Sequence, residues 1–326
     1  MRRQSCTAIA DELGISAKTV YRVINNSAPV LPATREKIVA ALNRNGYFTR
    51  KLTKVQKIVF DLTPQCYFNL TAIPLMQNLS HHGLNCILVN CAENRSGFED
   101  AVAEAAVVIW GTRQEEETLA WAKSLNPDAT HITVGNGGGG DIALDMDPLV
   151  SGQLAARHLH ANGHSRVLAV YCEHFSHCHR DRIAACCGEL SMLNPKAEVI
   201  MEKLRPGEYA EQFAERLLDE RLPDETSAIY CAYEYLAHAF YEELSRRNIR
   251  VPEEVSLLCC DRPNLKYLWR GPVDFVSADP SDYIRWLEYL IQNRPMMPLV
   301  NAARLQIVPR LFVNGSVRNL NPVKQL

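Results

Sequence analysis

No apolar run in this 326-residue chain approaches the ~18 to 20 residues needed to cross a bilayer, and the nearest, around Ala101 to Trp110, is broken by Glu104. The opening MRRQSCTAIADELG carries two arginines but lacks the ~7 to 15 apolar residues of a secretory leader, so none is expected. Internal repeats and low-complexity tracts are also absent. Eleven cysteines are scattered along the chain without the dense spacing of a disulfide-stapled domain, which predicts reduced thiols and a cytoplasmic location. Net charge is small, at -2. What remains is ordinary globular composition, 47% hydrophobic and 22% charged, in a chain long enough for two or three domains.

The small net charge conceals an uneven distribution. Residues 1–57 hold eleven Lys/Arg against three Asp/Glu, a net of +8, while the other 269 residues hold 24 basic and 34 acidic groups, a net of -10. A basic head on an acidic body is the electrostatic footprint of a nucleic-acid-binding module joined to something else.

Within that head the apolar spacing predicts three short helices. Ile9, Ala10 and Leu13 recur at helical intervals before Gly14, which suits a sharp turn. Ser16 stands where an N-cap belongs, ahead of AKTVYRVINN, and Val20, Val23 and Ile24 form the inward stripe of that second helix. A third helix is expected from about Thr34 to Asn45, with Ile38, Ala41 and Leu42 buried and Gly46 as its stop. Helix, glycine turn and capped second helix is the geometry that lets one helix enter the DNA major groove.

Beyond residue 57, short apolar runs alternate with amphipathic segments. Strands are expected at 58–62, 86–89, 107–110, 131–134, 167–171, 228–231, 255–259 and 273–276, with helical patterns at 152–162, 209–220, 235–247 and 281–292. This alternation predicts an α/β body with parallel sheets covered by helices, and roughly ten strands favour two sheets over one. The GNGGGGD segment from Gly135 to Asp141 lacks the G-x-G-x-x-G spacing of a phosphate loop and is expected to be a flexible connection.

The sequence TAIADELGISAKTVYRVINNSAPVLPATREKIVAALNRNGY resembles, along its whole length, the DNA-binding headpiece of the LacI/GalR (lactose-repressor) family. The resemblance continues more faintly through the body. Asp147, Arg157-His158-Leu159 and Gly163-His164 keep the family spacing, Arg182 stands where the family places an effector-reaching arginine, and 227–237, VPEEVSLLCCD and 309–316 resemble later family segments. The fold it implies is a three-helix helix-turn-helix headpiece (1–48), a short hinge (49–57) and a periplasmic-binding-protein-like body (58–326) of two doubly wound α/β subdomains, about 58–160 with 281–326, and about 161–280. The implied function is a ligand-responsive, sequence-specific transcriptional regulator, a repressor acting as a homodimer on a near-palindromic double-stranded operator. No enzymatic activity, cofactor, metal or membrane is implied.

Several positions depart from the family. Its usual Asn-Asp before a body helix is Tyr233-Glu234 here, and its usual glutamine after the last strand of the second subdomain is Ala278. The hinge is shortened, the A-R-S-L segment is not recognisable, and Leu52 is the one candidate minor-groove wedge.

The resemblance and the helix pattern together name the candidate site residues. Lys18 and Arg22 are suited to reading guanine edges, Ala17 offers a methyl surface to thymine, and Ser16, Thr19 and Asn25 are placed to bond phosphates. Tyr21 is suited either to a phosphate contact or to packing on the third helix. For the effector the candidates are Tyr67, Phe68, Asp147, His174, Arg182, Tyr233 and Asp261, with Asp147 open to a structural role and the aromatics to a place in the core. Arg180, Arg182, Arg262, His174, His177 and His179 outweigh Asp261 and Glu234, so the expected ligand is a sugar or an anionic sugar derivative. Two alternatives stand beside this. The segment CEHFSHCHR, Cys172 to Arg180, has enough N and S ligands for a zinc-dependent enzyme, and the effector cleft could be non-functional.

Overall fold

The computed structural model describes residues 5–25, 30–44, 57–62, 69–81, 84–111, 115–135, 138–172, 178–221, 226–263, 271–293 and 303–321. The head is three helices, α1 (Cys6–Glu12), α2 (Ala17–Asn25) and α3 (Pro32–Arg44). Ser5 caps α1 by accepting from the Ala8 amide at 3.1 Å, and the chain reverses through Gly14 at φ +65°, a conformation that a side chain would strain. Ser16 caps α2 as expected: its Oγ accepts from the Thr19 amide at 3.2 Å. Helix α3 begins two residues before the expected Thr34, because a proline in the first turn needs no amide partner. Ile9, Ala10, Val20, Val23, Ile38, Ala41 and Leu42 close a small core between the three helices.

The body begins with β1 (Lys57–Asp61), α4 (Asn69–His81), β2 (Asn85–Val89), α5 (Arg95–Ala103), β3 (Ala105–Trp110), α6 (Glu116–Leu125), β4 (Thr130–Val134) and β5 (Ile142–Met146). The chain then crosses to a second layer through α7 (Pro148–Ala161), β6 (Arg166–Tyr171), α8 (Cys178–Leu193), β7 (Glu198–Lys203), α9 (Ala210–Arg221), β8 (Ala228–Cys231), α10 (Glu234–Arg246), β9 (Ser256–Cys260) and β10 (Asp274–Ser277). It returns for α11 (Pro280–Asn293) and β11 (Ala303–Ile307), and crosses once more for β12 (Arg310–Phe312). The first sheet has the order β11-β5-β4-β3-β1-β2 and the second β12-β10-β9-β8-β6-β7. Every pairing is parallel except the antiparallel closure of β12 on β10.

Packing moves two boundaries from where the sequence puts them. Helix α7, expected with the first subdomain, buries Ala155, Ala156 and Leu159 against Val167, Ala169, Tyr230 and Leu258 of the second sheet. The tail from Arg310 onward also joins the second sheet, whereas α11 buries Tyr283, Leu287, Leu290 and Ile291 in the core of the first. Three crossings link the layers, at 147, 278–279 and 308–309, and two of them touch where the Asp147 amide donates to the Ile307 carbonyl at 2.9 Å.

The glycine run has a steric reason. It joins two parallel neighbours without a helix, so it must run back across β4: the Asp141 amide donates to the His131 carbonyl at 2.8 Å, and a Cβ at Gly140 would lie 2.6 Å from that same oxygen.

Candidate DNA-binding face and effector site

On α2 the buried side is Val20 and Val23, with Ala17 packed at its edge, while Lys18, Tyr21 and Arg22 turn away from it. Lys18 and Ser16 are exposed, Arg22, Ala17 and Thr19 are half-buried, and Tyr21 is 49% exposed. That exposure leaves the Tyr21 hydroxyl accessible to a phosphate. At 100° per residue, Lys18 and Arg22 lie near the centre of the outward face and Tyr21 on its shoulder beside Ala17. The Ser16 and Thr19 hydroxyls are 2.8 Å apart and bond each other. The Asn25 side chain and Leu52 lie outside the described residues.

The family-spaced residues of the body have structural work. Asp147 is the N-cap of α7, its Oδ1 accepting from the Leu149 amide at 2.9 Å and the Val150 amide at 3.1 Å, which is the structural role left open for it. His158 Nε2 lies 2.8 Å from Oδ2 of fully buried Asp274, whose Oδ1 accepts from the amides of Asn314 (2.7 Å), Gly315 (2.6 Å) and Ser316 (3.1 Å). Burial opposes ionisation of Asp274, but His158 and these amides hold its carboxyl below the usual range. His164 bonds Ser227 Oγ at 2.9 Å, Ser256 Oγ at 3.1 Å and the Arg318 carbonyl at 3.1 Å. Together the two histidines fasten the tail onto the second sheet.

In a sheet ordered 2-1-3-4-5, ligands bind beyond the carboxyl ends of the strands where the order reverses. The second sheet reverses between β6 and β8, and the chain leaving those strands and β9 supplies His179 and Arg182 on α8, Tyr233 and Glu234 at the start of α10, and Asp261. Arg182 Nη1 donates to the Ala232 carbonyl and to Asp261 Oδ2, both at 2.8 Å, and Nη2 donates to Asp261 Oδ1 at 3.3 Å. Asp261 is held at φ +68°, a conformation rare for a residue with a side chain. His179 Nδ1 lies 2.8 Å from the Cys172 carbonyl, and its ring stacks on Tyr233 at 4.9 Å between centroids. Glu234 is 2% exposed, and neither its Oε2 nor Arg182 Nε has a hydrogen-bond partner among the described residues.

The structure thus brings together Arg182, Tyr233 and Asp261 and adds His179 and Glu234. Glu234 was visible in the sequence as a departure from the family, and His179 as one histidine of a crowded loop; neither showed there that it is buried. Tyr67, Phe68, His174 and His177 lie outside the described residues.

The expected excess of positive charge is not found among the described residues. Asp261 compensates Arg182, and burial pushes His179 down to about 4, leaving it neutral. Burial, reinforced by the Asp261 carboxylate, pushes Glu234 up to about 8. Arg180 points outward at 61% side-chain exposure, and Arg262 lies over Phe275 and Phe312 at 5.9 and 5.7 Å. Among the described residues the cluster is close to neutral at pH 7, which removes the support that Arg180, Arg182, Arg262 and His179 gave to an anionic ligand. Among the described residues no group of three His, Cys, Asp or Glu could hold a metal ion.

Residues 7–49 match the family model described as "Bacterial regulatory proteins, lacI family", and residues 156–270 match "Periplasmic binding protein-like domain". The HTH-type transcriptional regulator GalR of Escherichia coli is 23% identical, covering 94% of each chain. Among solved structures, the transcriptional regulator CelR–cellobiose complex is similar with a TM-score of 0.65 and 20% identity over 96% of this chain and 100% of that one. The Lac repressor dimer bound to operator and the anti-inducer ONPF gives a TM-score of 0.63 and 15% identity, covering 97% and 100%. With a helix-turn-helix head, two doubly wound layers and a polar cluster at the switch point, the chain joins a lacI-family DNA-binding domain to a periplasmic-binding-protein-like domain, the arrangement of the LacI/GalR regulators it is similar to.

Proposed function

We propose that the protein is a cytoplasmic homodimeric repressor that reads a near-palindromic operator through α2 and responds to a neutral, hydroxyl-bearing effector such as a sugar. The observation that carries the reading is the joining of an outward Lys18/Arg22 face to a body whose second switch point holds buried polar groups without partners among the described residues. Those groups argue against a cleft without function, because a buried unsatisfied polar group costs ~1 to 3 kcal/mol unless something bonds it. The near-neutral cluster favours an uncharged sugar over a sugar acid or phosphate, and cellobiose accompanies one of the similar structures. No helix of the described residues is long and apolar enough to cross a membrane. Two heads related by a two-fold axis would occupy half-sites a helical turn or a multiple apart.

Selection of bound duplexes from a random pool tests this. The expected product is a two-fold symmetric sequence whose complex with the protein is released, or tightened, by a neutral sugar. Recovery of a single asymmetric half-site would overturn the dimer. A complex that answers only to phosphorylated sugars or sugar acids would overturn the neutral effector.

A further inference from the structure

The pair of buried, unpartnered atoms at the second switch point narrows what the effector must present, on the reading that this cluster is the effector site. Glu234 opens α10, and its carboxyl is in the field of Asp261 at the end of β9 and of Arg182 on α8; the amides of Glu234 and Tyr235 act in its favour as a charge but do not offset burial. Cys259 on β9 feels the same carboxyl. Of these neighbours Arg182 is the one cation, and its guanidinium is already engaged by the Asp261 carboxylate and the Ala232 carbonyl, which leaves Nε, the one guanidinium nitrogen with no partner among the described residues, and the second Nη2–H for other acceptors. His179, on the same helix, is neutral and committed to Cys172 and Tyr233. A second carboxylate beside Asp261 would therefore be a buried charge without a counter-ion, the arrangement that proteins avoid by keeping one acid protonated.

We propose that Glu234 is the specificity-determining residue of the effector site: a carboxylic acid whose Oε2–H donates, as the Arg182 Nε–H does, to acceptor oxygens of the ligand. Two donors at one switch point select a ligand with acceptor oxygens for both, such as a ring oxygen and a hydroxyl. They discriminate against a ligand that offers only N–H or ammonium donors at that point. Effector affinity is then linked to the proton on Glu234: the acid form binds, and ionisation both removes the donor and places a charge against the ligand oxygens.

The test uses the full-length protein and a panel of neutral sugars, ribose, galactose, lactose and cellobiose, none of which titrates between pH 6.5 and 9. Calorimetric titration of whichever sugar binds is carried out at pH 7 and pH 9. For an acid titrating near 8 the affinity of the wild type should be about tenfold weaker at pH 9. Glu234→Gln, which keeps a neutral donor, should bind with little pH dependence, and Glu234→Leu should lose about tenfold or more at both values. A wild-type affinity that does not change with pH overturns the proposal, and this arm needs no variant to fold. Undiminished binding by Glu234→Leu also overturns it, since the unpartnered atoms would then be satisfied by solvent alone. If none of the four sugars binds, the effector reading itself fails, and the proposal with it.

Discussion

At the scale of single residues, burial sets protonation in opposite senses. His131, His164 and His179 are each pushed down to about 4 by burial, while Glu234 is pushed up to about 8. An unfolded histidine titrates near ~6.5, so between about 4 and 6.5 the unfolded chain binds protons that the folded one refuses. The stability due to these histidines is therefore complete above about 6.5 and drains away as pH falls towards 4. Glu234 works the other way, because the folded chain keeps a proton that the unfolded chain sheds above about 4.5, and stability falls as pH rises from there to about 8. His131 is the clearest position to test, being fully buried with Nδ1 accepting from Trp110 Nε1 at 3.1 Å. In His131→Gln the amide oxygen preserves an acceptor for Trp110 and nothing titrates. Its stability between pH 4.5 and 6 should vary less steeply than that of the wild type, by ~1.4 kcal/mol per pH unit. Urea midpoints at three pH values check this, and parallel curves would show that His131 is not held neutral by the fold.

Among elements, the sequence reveals those whose apolar pattern is complete and hides those that the fold covers on one side only. The eight strands expected from apolar runs are all present to within one or two residues at each end. β7 and β11 lack an apolar run, since EVIMEK and ARLQI lie at sheet edges and are partly exposed along their length, and β12 is only three residues long. β5 gives no such signal because Asp145, itself buried, interrupts its apolar run. The polar cluster at the second switch point is legible only in part for a related reason: residue type and family spacing indicate Arg182 and Asp261, but that they neutralise each other is a fact of geometry. Helix contacts carry this further. A Cβ at Gly152 of α7 would collide with the Arg182 carbonyl of α8 and come within 2.7 Å of the Cys186 amide, whereas one at Gly188 would meet nothing within 4 Å. Although alanine is the better helix former by ~1 kcal/mol, Gly152→Ala should destabilise by ~1 to 3 kcal/mol because α8 must shift, and Gly188→Ala should stabilise by up to ~1 kcal/mol. Thermal and urea unfolding distinguish the two; equal effects of the same sign would show that the α7–α8 contact is looser than described.

For the molecule as a whole, charge and shape divide the labour between its parts. The head carries +8 and the body -10, so attraction to DNA is concentrated in the first 57 residues, and the acidic body disfavours adhesion through any other surface. Within the head, affinity and sequence choice should separate by residue. Arg22, near the centre of the outward face of α2, has a guanidinium suited to the O6 and N7 of guanine, so Arg22→Ala should cost ~1 to 3 kcal/mol on the preferred operator and much less on duplexes altered at one base pair. Tyr21, exposed on the shoulder of the same face, has only a hydroxyl to offer a phosphate, a group that every sequence presents alike. Tyr21→Phe should therefore weaken binding by ~0.5 to 1.5 kcal/mol equally across operator variants, while leaving the order of preference intact. Binding titrations of both variants on the preferred operator and on single-base changes, at one fixed salt concentration, separate the two roles. A uniform loss for Arg22→Ala would mean that it grips the backbone, and a loss confined to one base pair for Tyr21→Phe would mean that the shoulder of α2, and not only its centre, enters the groove.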